Sequence, residues 1–269
     1  MELKEKYKKL QNNIKNLEKA VIAFSGGVDS TLLAKVCYNI LGENALAITA
    51  IAPFHSKREI EDAIKIANEI GIRHKTIKFD MCDIEDFKYN PWDRCYICKR
   101  KIFSKIKEIA HENGISSVLD GSNVDDVMDY RPGLKALREL SVKSPLKDAD
   151  MTKSDIRQLS KDLGLSTWDK PALACLATRI PYGEEITKIK LKMIEESENY
   201  LENIGFKQFR LRYHGNLARI EVAPDERTKL FDLELMDKIS NELKKIGFTY
   251  VTIELSGYKT GSMNKQKNN

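Results

Sequence analysis

Apolar positions fall into two alternating periods along the first part of the chain. Leu3, Tyr7, Leu10, Ile14 and Leu17 are spaced by fours and threes, which predicts an amphipathic helix. Ala20 to Phe24 is short, apolar and β-branched, and predicts a buried strand; Ser30 to Leu41 predicts the helix after it. Ala45 to Ala52 repeats the strand pattern and Pro53 ends it. Glu59 to Ile70 predicts a helix closed by Gly71, and Lys75 to Phe79 a third strand. Tyr96 to His111 predicts a helix closed by Asn113-Gly114, and Ser117 to Leu119 a fourth short strand. Strands alternating with helices give an α/β fold: βαβ units forming a parallel sheet with helices on both faces.

Thr152-Lys-Ser-Asp155 has the form of a capping box before a helix that runs to Leu163. Residues 166–185 lose periodicity and carry two prolines, which places the end of the first domain near residue 165. The remainder, 166–269, follows another pattern. Ile189 to Ile204 predicts a helix. Residues 209–213 and 218–222 alternate around His214-Gly215-Asn216, which predicts a hairpin. Pro224 is expected to open one helix running to about Ile246, before a last strand at Tyr250 to Leu255. These elements make a small α+β domain.

The 269 residues are 42% hydrophobic and 32% charged, as expected of a globular chain without a membrane span. The N-terminus MELKEKYKKL is no signal peptide, so a cytoplasmic location is expected. A net charge of +5 suits an anionic small ligand and argues only weakly for nucleic acid. The tail after Gly261 is polar and aperiodic, the one candidate for disorder.

The joint between the first strand and its helix reads Ser25-Gly26-Gly27-Val28-Asp29-Ser30. Glycines let the backbone turn sharply and approach a ligand. N–H groups at a helix start, with serine hydroxyls beside them, make an anion cradle. No GxxxxGK[ST] motif occurs in the chain. The hexad in its strand–loop–helix setting resembles the PP-loop of the ATP pyrophosphatases, with their adenine nucleotide alpha hydrolase-like fold. That resemblance implies ATP as cofactor with Mg²⁺ nearby, and Ser25, Gly26, Gly27, Asp29 and Ser30 around its β,γ-phosphates. Asn123, Asp125 and Asp126 follow the fourth strand, where ligands of open parallel sheets bind, so Asn123 and Asp126 are expected at the nucleotide.

Five cysteines, an odd number in a chain expected to be cytoplasmic, point to metal or thiol chemistry rather than a disulfide framework. Cys37, in an apolar run, and Cys82 read as core or near-core thiols. Cys95 and Cys98 form a CxxC at a predicted helix start, and Cys175 lies in the aperiodic loop. A CxxC alone is open between zinc, a redox pair and an iron–sulfur cluster. The four histidines show no zinc-finger spacing with these cysteines.

Nearly the whole chain resembles the LarE family of ATP-dependent sulfur transferases, which mature the nickel-pincer cofactor of lactate racemase. The matching stretches are SGGVDSTLL, Asp120-Gly-Ser-Asn-Val-Asp-Asp126, Asp129-Tyr-Arg-Pro-Gly133, Ser144-Pro-Leu146, Trp168-Asp-Lys-Pro171, Ala174-Cys175-Leu176, Arg179-x-Pro-Tyr-Gly183, His214-Gly-Asn-Leu-Ala-Arg-Ile-Glu221 and Gly257-Tyr-x-x-Gly-Ser-Met-Asn264. The resemblance implies pyridinium-3,5-biscarboxylic acid mononucleotide as substrate, adenylated on a carboxylate and converted to a thiocarboxylate. Two sulfur sources occur in the family. In one branch a single cysteine, matching Cys175, is sacrificed to dehydroalanine. In the other, three cysteines hold a [4Fe–4S] cluster that carries sulfide from an external source. Cys95 and Cys98 beside Cys175 favour the cluster. The resemblance also implies a homo-oligomer. A PP-loop tRNA thiolase is the rival reading, but interspersed charges of both signs show no single-sign basic stripe, so no nucleic acid partner is expected, and no apolar stretch calls for a membrane.

A mononucleotide carrying two carboxylates needs cations. Arg210 and Arg212 share one strand face, and Arg179 follows Cys175 by four residues; the resemblance implies that all three lie at the substrate phosphate, which arginine can bind bidentately. The commoner fate of such arginines is a solvated face. Glu221 and one glutamate of Glu195, Glu196 and Glu198 are candidate metal or base positions; for the helix glutamates a solvated face is the stronger expectation. Trp92 is a possible stacking surface for the pyridinium ring, though packing is the commoner role.

Overall fold

The computed structural model describes residues 2–80, 84–127, 132–171 and 175–259. Cys82, residues 129–131 of the Asp129–Gly133 motif, Ala174, and the last motif and tail from residue 260 lie outside the described residues. In chain order the elements are α1 (Leu3–Lys15), β1 (Ala20–Ala23), α2 (Val28–Leu41), β2 (Ala45–Ile51), α3 (Lys57–Ile70), β3 (Arg73–Lys78), α4 (Glu85–Lys88), α5 (Arg94–Glu112) and β4 (Val118–Leu119). They continue with α6 (Gly133–Glu139), α7 (Pro145–Asp148), α8 (Lys153–Asp162), α9 (Lys188–Asn203), β5 (Phe209–His214), β6 (Leu217–Val222), α10 (Leu233–Ile246) and β7 (Tyr250–Ile253). They divide into two compact units, Met1–Met81 with Trp92–Leu173, and Cys82–Pro91 with Ala174–Asn269.

The first unit is built on a parallel sheet in the order β3-β2-β1-β4. The two-residue alternation of strand side chains feeds two apolar layers. Ala20, Ile22, Ala45 and Ala47 pack with α1, α2, α3 and α8 through Leu10, Leu33, Ala67 and Ile156. Val21, Leu46, Ile48 and Ile77 pack with α5 and α6 through Phe103, Ile106 and Leu137. The expected parallel α/β sheet with helices on both faces is thus present. Two capping boxes start helices here, Ser56 with Glu59 on α3 and Thr152 with Asp155 on α8, and Gly71 closes α3 in the left-handed conformation. Helix α2 begins at Val28, two residues earlier than the apolar pattern predicts, because the motif itself forms the first turn.

The second unit carries a three-stranded sheet, β5-β6-β7, in which β5 and β6 form an antiparallel hairpin and β7 runs parallel to β6. Helix α9 packs on β5 and against α10. The single helix expected from Pro224 to Ile246 is corrected: Pro224–Phe231 is a 3-10 helix, and α10 starts afresh after Asp232, whose carboxylate accepts from the Leu235 N–H at 3.0 Å. A cap residue that satisfies the new first turn makes the break favourable. Residues 84–91 join this unit through buried Asn90, whose amide donates to the carbonyls of Ile180 (2.6 Å) and Pro181 (2.9 Å). Apolar periodicity gives no sign of such a side-chain-to-backbone bond.

Candidate active site

Strand β1 ends at Ala23, and the chain crosses to α2 through Ser25-Gly26-Gly27. Gly26 sits at φ 68°, and a Cβ there would lie 2.8 Å from the Ala63 Cα of α3, so the turn requires glycine. The Ser30 hydroxyl knots the loop: it accepts from the Ser25 N–H (3.2 Å), donates toward the Gly27 carbonyl (3.2 Å) and lies 3.1 Å from the Ser25 hydroxyl. Gly27 caps α2 without a side-chain acceptor, so the first-turn N–H groups of this 14-residue helix keep their capacity for an anion.

A second loop, after β4, meets the first. Gly121 packs closely here, since a Cβ there would lie 3.1 Å from the Ser30 nitrogen. Asp29 accepts from the Asn123 amide (3.1 Å) and from the Lys153 ammonium of α8. Asn123 in turn accepts from the Asp125 N–H (2.9 Å), and Asp126 accepts from the Asn123 N–H (3.0 Å). Asp120 is buried and accepts from the hydroxyls of Ser122 and Ser144, the latter at 2.5 Å, with the Lys99 ammonium 3.9 Å away. These donors satisfy a carboxylate withdrawn from water.

The loops border a cavity of about 480 Å³ within the first unit. Ser25, Asp29, Ser30, Asp120 and Asp126 line it together with Ile48, Ala50, Ile60, Phe103 and Leu134. Polar loop groups joined to apolar wall in a space of this size suit a nucleotide. His55 also lines the cavity, and its burial lowers its pKa and favours the neutral imidazole.

The second unit gathers the arginines, which are not solvated. Arg179 is 4% exposed; its Nε and Nη2 donate to the two oxygens of Glu198 at 2.9 Å, and its Nη1 donates to Thr178 Oγ1 (2.8 Å) and the Cys175 carbonyl (3.3 Å). Glu198 therefore does not lie on a solvated helix face, because α9 turns it onto Arg179 and the Leu211 N–H (3.0 Å). Arg212 and Arg219 face each other across β5 and β6, a like-charge pair that Glu221 offsets by accepting from each (2.9 and 3.1 Å). Arg212 also donates to the Thr178 carbonyl (2.9 Å). Among the described residues Arg210 pairs with no carboxylate. It donates to the Phe209 carbonyl (2.6 Å) and lies over the Tyr258 ring, and its pKa is lowered by burial and then by Arg179.

None of Cys37, Cys95, Cys98 and Cys175 is in a disulfide. Cys37 is fully buried, and desolvation pushes its thiol pKa well up, as befits a core thiol. Cys95, exposed, and Cys98, half-buried, are three residues apart in the first turns of α5, so they are helical neighbours. Cys175, half-buried, precedes the 3-10 helix Leu176–Arg179 and belongs to the second unit. Among the described residues no group of three or more His, Cys, Asp or Glu is drawn together to hold a metal ion. Trp92 is 41% exposed.

Sequence reading missed Lys153, Arg157 and Lys170 as parts of the phosphate-loop surroundings. Their one signal was Lys153 and Arg157 at helical spacing after the cap; Lys170 is 144 residues from the Gly26 carbonyl it approaches at 3.4 Å.

The NAD synthase family model matches residues 2–91. An uncharacterized protein of Synechocystis is 42% identical over 98% of each chain. The pyridinium-3,5-bisthiocarboxylic acid mononucleotide synthase of Lactiplantibacillus plantarum is 37% identical over 93% of this chain and 91% of its own. An uncharacterized protein of Methanocaldococcus jannaschii is 34% identical over 94% and 96%. No described helix is long and apolar enough to cross a membrane. With a glycine-serine phosphate loop at the head of a parallel sheet and identity running through both units, the chain belongs to the LarE family, that of the pyridinium-3,5-bisthiocarboxylic acid mononucleotide synthase, within the PP-loop ATP pyrophosphatases.

Proposed function

We propose that this chain uses ATP to adenylate a carboxylate of pyridinium-3,5-biscarboxylic acid mononucleotide and replaces the activated oxygen with sulfur. The observation that carries the reading is the Ser25–Ser30 knot at the open N-terminus of α2, bordering a cavity lined by both polar and apolar groups. The named synthase relative gives the substrate class.

A carboxylate is a poor electrophile. Its oxygen attacks the α-phosphorus of ATP, pyrophosphate leaves, and the acyl adenylate forms; a sulfur nucleophile then adds at the acyl carbon and AMP leaves. Ser25, Gly26, Gly27, Asp29 and Ser30 hold the β,γ-phosphates, with Asn123 and Asp126 on the nucleotide. Asp29 and Asp126 are hard oxygen donors for Mg²⁺, and both line the cavity. Arg179, Arg210 and Arg212 receive the substrate phosphate. Arg210, which makes no salt bridge among the described residues, supports that role, and Glu221 orients Arg212 through their 2.9 Å contact.

The sulfur source is proposed as a [4Fe–4S] cluster held by Cys95, Cys98 and Cys175. The donor chemistry fits, since all three are thiols outside disulfides and two are neighbours on one helix. When bound, the cluster would supply a transferable sulfide. The second reading, favoured by Cys175 lying four residues before Arg179, has its thiolate attack the adenylate itself. Loss of the Cα proton and cleavage of its Cβ–S bond then leave dehydroalanine. A homo-oligomer refilled by an external sulfide source completes the proposal.

Mixing the anaerobically purified chain with ATP, Mg²⁺ and the biscarboxylate mononucleotide tests it. The expected products are AMP, pyrophosphate and a thiocarboxylate identified by mass. No substrate-dependent pyrophosphate release would overturn the reading. Iron and acid-labile sulfide that fall in Cys175→Ala support the cluster, whereas a metal-free protein that loses H₂S at Cys175 after turnover supports the sacrificial thiol.

A further inference from the structure

We infer that Lys170 is a ligand for the pyrophosphate end of ATP, and that Arg157 is the positioning residue that presents it. This rests on the proposed phosphate-loop function and adds to it a cation from outside the Ser25–Ser30 motif.

The Lys170 ammonium lies 3.4 Å from the Gly26 carbonyl, within the turn whose following residues cap α2. Among the described residues it pairs with the Asp62 carboxylate, at 2.8 Å. Asp62 precedes Ala63, the residue whose Cα excludes any side chain at Gly26, so lysine, carboxylate and loop share one small region. The Lys170 side chain is 17% exposed and that of Asp62 is 40% exposed. The lysine is therefore the more enclosed partner, facing the loop, while its counter-ion is half in water and holds it only modestly. A triphosphate seated on the loop N–H groups brings more negative charge than one carboxylate and competes for the ammonium at short range.

The backbone at this position is clamped rather than loose. Arg157 donates from Nη1 to the Trp168 carbonyl and from Nη2 to the Lys170 carbonyl, each at 2.8 Å. Arg157 lies four residues after Lys153 on α8, so both side chains leave the same helix face. Lys153 holds Asp29. One helix thus organises two lysines around the phosphate loop, Lys153 directly and Lys170 through the guanidinium clamp. A structural tether would need neither a lysine enclosed against a glycine carbonyl nor a half-solvated partner.

Calorimetric titration of the full chain with ATP, inorganic pyrophosphate and AMP separates the alternatives. Lys170→Ala is expected to weaken ATP and pyrophosphate about 10- to 100-fold, the worth of one charge-assisted contact, and to leave AMP within about twofold. Asp62→Asn is expected to leave ATP as tight as before or tighter, because a competitor for the ammonium is gone. Arg157→Ala should weaken ATP in the wild-type background and add nothing in the Lys170→Ala background. Equal weakening of ATP and AMP, or parallel losses in Lys170→Ala and Asp62→Asn, would make the pair a structural tether and overturn the inference. Hydrogen exchange at residues 168–171 reports whether the alanine variant keeps its local fold, with Lys170→Gln as the milder substitute. Ser30→Ala distinguishes the two levels. If it weakens ATP while Lys170→Ala does not, the Lys170 inference alone fails. If wild type binds ATP no tighter than AMP and Ser30→Ala changes neither, the phosphate-loop reading fails with it.

Discussion

Removing Glu198 probes the charge balance of the second unit. Its carboxylate receives two bonds from Arg179 at 2.9 Å and one from the Leu211 N–H at 3.0 Å, and the Arg179 side chain is 4% exposed. Glu198→Ala leaves a buried guanidinium without this counter-charge and a strand N–H without this acceptor. Deleting one partner of a buried pair costs about 3–5 kcal/mol. Glu198→Gln keeps an acceptor for Leu211 and loses mainly the charge assistance, about 1.5–3 kcal/mol. Both variants leave Arg179 beside Arg210, which already senses it as a like charge. The excess positive charge should then draw an external anion. Inorganic phosphate at about a hundred times its dissociation constant returns about 2.7 kcal/mol by mass action. Two compact units make a single global transition an unsafe measure, so the assay is hydrogen exchange of peptides from α9 and β5, with and without phosphate. The expected result is a large loss of protection in the alanine variant, a smaller one in the glutamine variant, and a phosphate rescue greater in both than in wild type. A loss below about 1 kcal/mol in Glu198→Ala would mean the pair is not desolvated as its burial requires. Equal phosphate effects in all three proteins would remove the arginines as an anion site.

Three further outcomes follow from single residues. Gly26→Ala forces a side chain at φ 68° against the Ala63 backbone, so pyrophosphate and ATP binding should be lost while far-UV circular dichroism changes little. Thr152→Ala removes the side-chain acceptor for the Asp155 N–H at 3.2 Å and should destabilise the first unit by about 1 kcal/mol, measured as lost hydrogen-exchange protection in peptides of α8. His55, His74 and His214 each have a pKa lowered from the ordinary 6.5, first by burial. The unfolded chain therefore binds more protons as pH falls through 6.5, and folded stability should decline from there toward pH 5. Asp155 and Glu226, whose folded pKa values are lowered, add their loss only below about 4.5. Hydrogen exchange of β3 peptides between pH 5 and 7, corrected for the intrinsic exchange rate, checks this for His74, and His74→Gln should flatten the dependence.

Local rules made the first unit legible. Period-two and period-3.6 patterns, two capping boxes and a closing glycine are short-range features, and each predicted element there is present within about two residues at its start. The Pro224 helix failed because a proline start and an apolar period persist across Asp232, where the competing cap breaks the helix. α6 and α7 escaped for lack of periodic length, at seven and four residues.

For the site, the sequence by itself determined the Ser25–Ser30 loop and the chemical types gathered around it. Two glycines, two serines and an aspartate within six residues form a turn whose geometry is local, so the chain's order dictates it. Tertiary structure alone decided how the charges are paired. Lys153 meets Asp29 across 124 residues, Lys170 meets Asp62 across 108, and Asn90 joins Ile180 across 90. Glu198 faces Arg179 because α9 packs on β5, not because of any spacing in the chain. An ion pair is set by distance in space and by the water it excludes, and neither quantity is written in the order of residues until the elements have packed.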